Sequence, residues 1–438
     1  MKKYFYDLAE KLTDCCEKNQ VLLLEINAED SQFIRFNNSL IRQAGAVKQA
    51  YLNIELIEGS RHVSESITLT GDLETDLDRC DIALSNIKAS LPSSPEDPFL
   101  TYSTEVENSE QIGENKLPEI EAVTDAILNA GRDKDLVGIF AQGSISKGFA
   151  NSLGQRNWFE TYSFNFDWCF YVDKDKAIKC NYSDFAWDQK EFETKVQVAT
   201  EQAEVLNQPA KTIDPGEYRV YLSPAALGEF VEMLNWGAFS LKEVKTKSTP
   251  LVRMTESGEM LSPKVTMLEN TADGLSPNFT GSGYTKPDRV VLIENGKHKD
   301  SLVSPRSAAE FGVEVNAGVE AAQSFELEPG DIPSDEILEK LGTGIYCNTL
   351  WYLNYSDRPA GRITGMTRFA TFWVENGKIV APLNVMRFDE TVYRALGENL
   401  IGLTKHQDFM PSCGTYAERS TASTRLPGAL IDNFRFTL

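Results

Sequence analysis

The residues that could perform chemistry are few in this chain, and they lie far apart. Its three histidines are His62, His298 and His406, and none has a second candidate ligand at the spacing of a metal site. A catalytic zinc ion needs three or more fixed nitrogen, sulfur or oxygen ligands and one open position. The spacing therefore predicts that each histidine is a surface or loop residue.

The cysteines give no catalytic or metal-binding pattern either. The seven cysteines are scattered without a CxxC pair, and Cys15 and Cys16 are adjacent on a predicted helix. Such a set is typical of reduced thiols that pack as small hydrophobic residues in a cytoplasmic protein. We therefore expect a cytoplasmic location.

The glycine-bearing segments do not form a nucleotide-binding motif. Residues 138–147 lack the G-K-[ST] end of a P-loop, and residues 342–344 form a two-glycine turn without a third glycine. No Ser-His-Asp arrangement is marked by the sequence. We predict no cofactor.

Charge and hydropathy exclude two classes of partner. The formal net charge is −22 and no basic run is present, whereas nucleic-acid binders concentrate Lys and Arg to neutralise phosphates. No segment approaches the roughly 20 apolar residues that span a bilayer. The first residues, Met1 to Asp7, place apolar side chains at helical spacing and do not form a signal peptide. We expect neither nucleic acid nor a membrane as a partner.

The chain is long enough for two domains. At 438 residues it exceeds one ordinary core, and a turn at residues 214–216 is the best boundary. We predict an N-terminal α/β domain over residues 1–215, with a linker near 91–117, and a C-terminal β-rich domain over residues 216–438. The class is α+β, with helices packed on a mixed sheet in the first domain and a barrel- or sandwich-like second domain.

Local patterns support this division. Helical periodicity recurs in the first half, near residues 5–16, 73–91, 118–131 and 192–206, between short apolar strands. After the turn, Ser223 and Pro224 are suited to the N-cap and first position of one more helix. Alternating aromatic residues between Trp158 and Phe170 predict a half-buried strand face, or alternatively a sheet that contacts peptides.

Two Asn-Gly hairpins lie in the second half. Residues 291–297 read VLIENGK and residues 372–379 read FWVENGKI. Asn-Gly between apolar runs is a strong hairpin signal, because both turn residues tolerate positive φ. We therefore expect a twisted antiparallel framework there.

The amino-acid sequence around these motifs resembles that of the TldD/PmbA family, in which PmbA is also called TldE. Four segments appear in the family's order: FIRFNNSLIRQ at 33–43, ANSLG at 150–154, GEYRVYLSP at 216–224 and the hairpin that follows TGMTR at 364–368. The chain resembles the PmbA/TldE branch, whose proteins are often described as modulators of DNA gyrase. The acidic charge implies that any link to gyrase would act through proteins or peptides.

The resemblance also implies what is missing. In the TldD branch, the helix that follows the segment corresponding to residues 216–224 carries H-E-x-x-x-H. Its histidines bind zinc and its Glu acts as base. Here residues 227–233 read LGEFVEM, so Gly228 and Met233 stand at the histidine positions and Glu229 at the base. Glycine has no side chain and a thioether is a poor zinc ligand. A zinc site of the TldD type is therefore expected to be absent.

One further piece of that site remains in the sequence. Residues 411–414 read PSCG and resemble the Cys-Gly pair that supplies the third zinc ligand in the TldD branch. Without the histidines, Cys413 is expected to be a packed thiol and Glu229 a polar helix residue. We therefore assign no catalytic, cofactor-binding or metal-binding residue.

Three functional hypotheses remain open. The first is a non-catalytic TldE/PmbA-like subunit of a TldD–TldE type metallopeptidase complex, inactive alone, that encloses unfolded peptides together with a zinc-bearing TldD-like subunit. The second is a metallopeptidase with altered ligands, such as Cys413, Glu229 and a histidine. The third is a stand-alone peptide-binding or regulatory module. Either a heterodimer with the zinc subunit or a homodimer is compatible with the sequence.

Overall fold

Two β-sheets, one in each half of the chain, organise the structure. The computed structural model describes residues 1–174 and 176–437. The first sheet has the strand order β3-β2-β1-β5-β6-β4, and β7 pairs with β6 beside that path. Its strands are β1 (Gln20–Asn37), β2 (Leu40–Glu58), β3 (Arg61–Thr68), β4 (Ser109–Ile112), β5 (Asp135–Asn151), β6 (Arg156–Asp173) and β7 (Lys176–Asp184).

Four helices cover one face of the first sheet. Helices α1 (Lys2–Thr13) and α2 (Leu73–Ser90) bury Phe5, Leu8 and Ile87 against the apolar side chains of β1 and β2. Helices α3 (Ile120–Ala130) and α4 (Gln189–Leu206) cover the aromatic part of β5 and β6. The opposite face of the sheet turns towards the second half of the chain.

The second sheet contains thirteen strands among the described residues and is open, because the ends of its main path, β11 and β17, do not pair. Strand β20 lies at its centre and pairs with β8, β12, β18 and β19. The strands are β8 (Gly216–Leu222), β9 (Met267–Asn270), β10 (Arg289–Glu294), β11 (Lys297–His298), β12 (Ser324–Leu327), β13 (Gly344–Cys347), β14 (Leu350–Asp357), β15 (Arg362–Thr367), β16 (Thr371–Glu375), β17 (Lys378–Pro382), β18 (Arg387–Thr391), β19 (Leu400–Pro411) and β20 (Ser423–Phe436).

The predicted α+β class and the β-rich second half are confirmed. Both Asn-Gly hairpins form, and Asn295 and Asn376 adopt φ of 50° at their turns. The second half also has short helices, of which the sequence patterns predicted only the first. The helices there are α5 (Pro224–Glu232), α6 (Leu241–Lys245), α7 (Val252–Ser257), α8 (Pro305–Phe311) and α9 (Ile337–Leu341).

Several predicted boundaries in the first half were wrong. The sequence predicts separate strands at 137–140, 149–151, 160–167 and 168–172. The structure joins them into the long strands β5 and β6, because polar residues on the uncovered face interrupt the apolar pattern without ending the strand. Helix α1 ends at Thr13, so Cys15 and Cys16 lie just beyond it. Pro118 stands where the sequence predicts the start of helix α3, but the helix begins two residues later, at Ile120.

The two halves share part of one core. Phe372 and Ala370, from the second half, are fully buried among the aromatic residues between β6 and α4. The division at residue 215 stays a prediction. No helix in the described ranges combines the length and the apolar character that crossing a bilayer requires.

The shared core gives a test of how the halves are held together. We expect Phe372→Ala to lower the free energy of unfolding by about 3–5 kcal/mol, because a buried phenylalanine is lost and a cavity remains. Chemical denaturation followed by tryptophan fluorescence measures this loss. Tyr416→Ala is the matched control, since Tyr416 is 98% exposed, and a similar loss in both variants would contradict the assignment.

Candidate functional site

A cleft of about 710 Å³ lies between helix α5 of the second half and strands β6 and β7 of the first. The connection between β19 and β20 forms a further wall. Trp236 stands at its rim with half of its side chain exposed. The residues that line it are Asp167, Lys179, Cys180, Asn181, Ser183, Ala225, Gly228, Glu229, Glu232, Asn235, Trp236, Ala321, Ala322, Gln323, Met410, Pro411, Ser412, Cys413, Ala422, Ser423 and Thr424.

Helix α5 is positioned by its N-cap. The Ser223 hydroxyl accepts a hydrogen bond from the Ala226 N–H at 3.2 Å and donates one to the Asn348 carbonyl at 2.7 Å. The predicted cap is confirmed, with Pro224 at the first helical position. The apolar stripe of the helix, which includes Phe230 and Val231, packs into the core of the second half.

The other face of α5 forms the cleft wall. Ala225, Gly228, Glu229 and Glu232 all line the cleft, because residues three and four apart share one face of a helix. Met233 points away from it and is 3% exposed in the core. The residue that reaches the cleft at the end of this helix is therefore Glu232, one position earlier than the family spacing had indicated.

Strands β6 and β7 form the floor of the cleft, through the side chains that alternate with their core-facing residues. On β6, Phe164, Phe166, Trp168 and Phe170 are buried under the helices, so Asp167 points to the opposite face. The aromatic row is therefore the core face of the strand, and the polar row faces the cleft. On β7 the matching residues are Lys179, Asn181 and Ser183, and Asn181 lies directly beside Asp167.

The cleft brings Cys413 against Asp167. The expectation of a packed thiol was wrong, because Cys413 lies at the cleft surface and is exposed. Desolvation by the cleft walls nonetheless raises the pKa of its thiol, the nearby Asp167 carboxylate raises it further, and Lys179 opposes this shift. Burial also raises the pKa of Asp167, against hydrogen bonds from Asn165, at 3.3 Å, and from the Cys413 thiol. A thiol of raised pKa is a weak nucleophile, because the thiolate is the reactive form.

The two glutamates of α5 carry unusual pKa values as well. Desolvation by the cleft walls raises the pKa of Glu229 although its side chain reaches solvent, and Lys179 opposes this shift. Glu232 is also exposed, yet desolvation raises its pKa as well, the Glu229 charge adds to this shift, and the Asn235 amide, at 3.1 Å, opposes it. These carboxyl groups are suited to hydrogen bonding with a polar ligand that enters the cleft.

A catalytic zinc ion does not fit this set of residues. Gly228 offers no donor and Met233 is turned into the core. In the part of the chain that the structure describes, no three His, Cys, Asp or Glu side chains gather closely enough to hold a metal ion. Cys413 and Glu229 do meet in one cleft, but without the companion ligands that a zinc site requires.

The histidines lie elsewhere. His62 contacts Glu55 at 2.6 Å, His298 contacts Ser301 at 3.3 Å and His406 contacts Asp408 at 3.2 Å. None of the three is among the described residues that line the cleft.

Comparison with known proteins decides the family. A sequence model of the PmbA/TldA metallopeptidase C-terminal domain matches residues 215–438. The chain belongs to this family. The match confirms the resemblance that the sequence motifs had indicated. No curated protein matches the chain.

Solved structures of low sequence identity share the fold of this PmbA/TldD-family chain. TldE from Thermococcus kodakarensis is 16% identical and has a TM-score of 0.79, with 99% of this chain and 100% of that one covered. A proposed modulator of DNA gyrase from Thermotoga maritima is 16% identical and has a TM-score of 0.77, with the same shares of both chains covered. A second proposed modulator, from Bacteroides thetaiotaomicron, is 16% identical and has a TM-score of 0.73, with 99% of this chain and 98% of that one covered.

Sequence reasoning identified Glu229 and Cys413 but missed Asp167, Lys179 and Glu232. A signal was present for Asp167, because Asn165, Asp167 and Cys169 alternate with the aromatic residues of β6. For Lys179 and Glu232 no signal was available, because the cleft joins segments more than 40 residues apart in sequence.

The Cys413 environment predicts a defined reactivity. At pH 8 we expect Asp167→Asn to speed alkylation of Cys413 about two- to tenfold, because removal of the carboxylate lowers the thiol pKa and one pKa unit is a factor of ten in thiolate. Lys179→Gln should slow the reaction. Site-resolved mass spectrometry measures both rates, with the exposed Cys15 as internal reference, and unchanged rates in both variants would show that these charges do not act on the thiol.

Proposed function

We propose that this chain is the non-catalytic, TldE/PmbA-like subunit of a TldD–TldE type metallopeptidase complex. In that complex it pairs with a zinc-bearing TldD-like subunit and encloses unfolded peptides in the cytoplasm. The observation that carries the proposal is the cleft itself, which keeps the family's helix and its cysteine but presents Gly228 and Glu232 instead of zinc ligands.

The cleft is suited to an extended polypeptide. Strand β7 has a strand partner, β6, on one side only among the described residues, and Lys179, Asn181 and Ser183 line the cleft. A sheet edge can accept an extended peptide through main-chain hydrogen bonds, a mode that is tolerant of sequence. The polar groups of α5 then face the peptide from the opposite wall of the cleft.

The charge of the chain bears on the gyrase link of its structural relatives. A net charge of −22 does not favour contact with DNA. If a connection to gyrase exists for this chain, we propose that it acts through cleavage or binding of a protein or peptide.

The test is reconstitution. The chain is mixed with the homologue from the same organism that carries H-E-x-x-x-H, and size-exclusion chromatography is followed by cleavage of an unfolded peptide. We expect co-elution and cleavage that needs both chains, because only the partner supplies zinc ligands. Chelator-sensitive cleavage by this chain alone would contradict the proposal, and a homodimer without any effect on the partner would favour a stand-alone binding module.

A variant that fills the cleft tests where the peptide lies. Ala225→Trp places an indole on the cleft face of α5, and we expect at least a tenfold loss of complex-dependent cleavage with co-elution unchanged. Ala46→Trp, at an exposed position on β2, is the matched control. Equal activity of the two variants would show that the peptide does not use this cleft.

A further inference from the structure

The connection between β19 and β20 crosses from the second half of the chain to the first sheet. We call residues 412–422 the strap. Its two ends, at Ser412 and Ala422, are joined by a backbone hydrogen bond of 2.8 Å and line the cleft. Its middle reaches the uncovered face of the first sheet.

The strap inserts one arginine into that face. Arg419 is 8% exposed. Its guanidinium donates hydrogen bonds to the Ser163 carbonyl at 3.0 Å, to the Ser163 hydroxyl at 3.1 Å and to the Gly143 carbonyl at 3.3 Å. The first sheet therefore contains a pocket that binds a guanidinium group.

Small residues form the floor of this pocket. Ser31, Gly143 and Ser163 lie side by side on β1, β5 and β6, so their side-chain positions share one face of the sheet. A Cβ at Gly143 would lie 2.2 Å from the Asp30 carbonyl oxygen, so this position cannot carry a side chain without moving the strands. The row leaves a depression that a flat guanidinium can enter.

A buried carboxylate completes the pocket. Glu29 is 8% exposed and accepts hydrogen bonds from the Ser31 hydroxyl at 3.0 Å, from the Gln49 amide at 2.5 Å and from the Arg419 backbone N–H at 3.3 Å. Its charge favours a cation in the pocket. A lysine would fill the site less well, because the fork of an arginine matches several acceptors at once.

Burial of the Arg419 guanidinium is energetically unfavourable. Burial lowers the pKa of Arg419 to about 10, and Glu29 only partly opposes this shift. Among the described residues the guanidinium forms no direct salt bridge, and its partners are neutral carbonyl and hydroxyl oxygens. A buried charge without a directly paired opposite charge gains little net stability, so the docked strap can be displaced.

The rest of the strap adds few restraints. Tyr416 is 98% exposed and Ala417 adopts a φ of 69°. Beyond Arg419, the tip is held mainly by the Gln49 amide, which donates to the Ala417 carbonyl at 2.6 Å. Release of the tip would leave both sheets intact.

We propose that the Ser31–Gly143–Ser163 depression is a binding site for an arginine side chain of a bound polypeptide, and that Arg419 occupies it in cis as a pseudo-substrate. Ser163 and Asp167 lie on the same face of β6, four residues and roughly 13 Å apart, so a peptide in the cleft can reach the pocket. Arginine-containing segments displace the strap and take its place. This inference deepens the proposed function, on which it rests, by naming the preferred substrate class.

Peptide binding to the full chain tests the pocket. Isothermal titration compares three capped alanine-based peptides that carry a central arginine, lysine or norleucine, on the unaltered protein and on Arg419→Ala. We expect Arg419→Ala to bind the arginine peptide at least tenfold more tightly than the unaltered protein does, because the competing side chain is gone. The norleucine peptide should bind both proteins equally, and the lysine peptide should gain less than the arginine peptide.

Two further variants keep the result interpretable. Adding Ser163→Ala to Arg419→Ala removes one acceptor and should weaken the arginine peptide about threefold or more, with the norleucine peptide unaffected. Arg419→Lys keeps the charge and guards against loss of folding, and hydrogen exchange should show faster exchange of residues 412–422 in both Arg419 variants with the first sheet unchanged. An arginine peptide that binds Arg419→Ala no better than norleucine overturns the pocket alone, whereas failure of every peptide to bind any variant overturns the proposed function as well.

Discussion

The strict alternation of side chains along β6 is the constraint on which the rest of the structure depends. A row of aromatic residues from Phe164 to Phe170 must be buried, and helices α3 and α4 cover it. Because successive residues of a strand point to opposite faces, the intervening polar residues, including Ser163 and Asp167, are forced to the other side. That polar face cannot join a dry core, so the second half of the chain covers it while a cleft and the strap remain between them.

The second half supplies the opposite wall by the same reasoning. The apolar stripe of α5 is held in the core and its N-terminus is fixed by Ser223, so the face with Gly228, Glu229 and Glu232 is turned to the cleft. The sequence resemblance relates this helix to the zinc-binding helix of the TldD branch, but Gly228 and Met233 do not supply zinc ligands. What remains is a polar surface of carboxyl groups with raised pKa values, which is suited to holding a polypeptide in place.

The sequence predicted much of the fold, because its signals are local. Periodicity located the long helices, Asn-Gly located both hairpins, and Ser223-Pro224 located the start of α5. The cleft was harder to predict. Glu229 and Cys413 were singled out by their place in motifs, but their proximity to Asp167 and Lys179 depends on how two sheets pack, which no local pattern encodes. The position of Met233 was also not predictable from a local pattern. Helix α5 ends there in a tighter 3-10 turn, and this turn directs the Met233 side chain into the core.

The central claim is that the polar face of the first sheet and helix α5 hold a polypeptide between them. Hydrogen exchange of the full chain, with and without an unstructured peptide that lacks charged residues, tests this claim most directly. The account predicts slower exchange in β7 (Lys176–Asp184), in the residues that follow α5 and at both ends of the strap, with β3 and the Asn295 hairpin unchanged. Protection confined to other surfaces, at a peptide concentration that saturates binding, would contradict it.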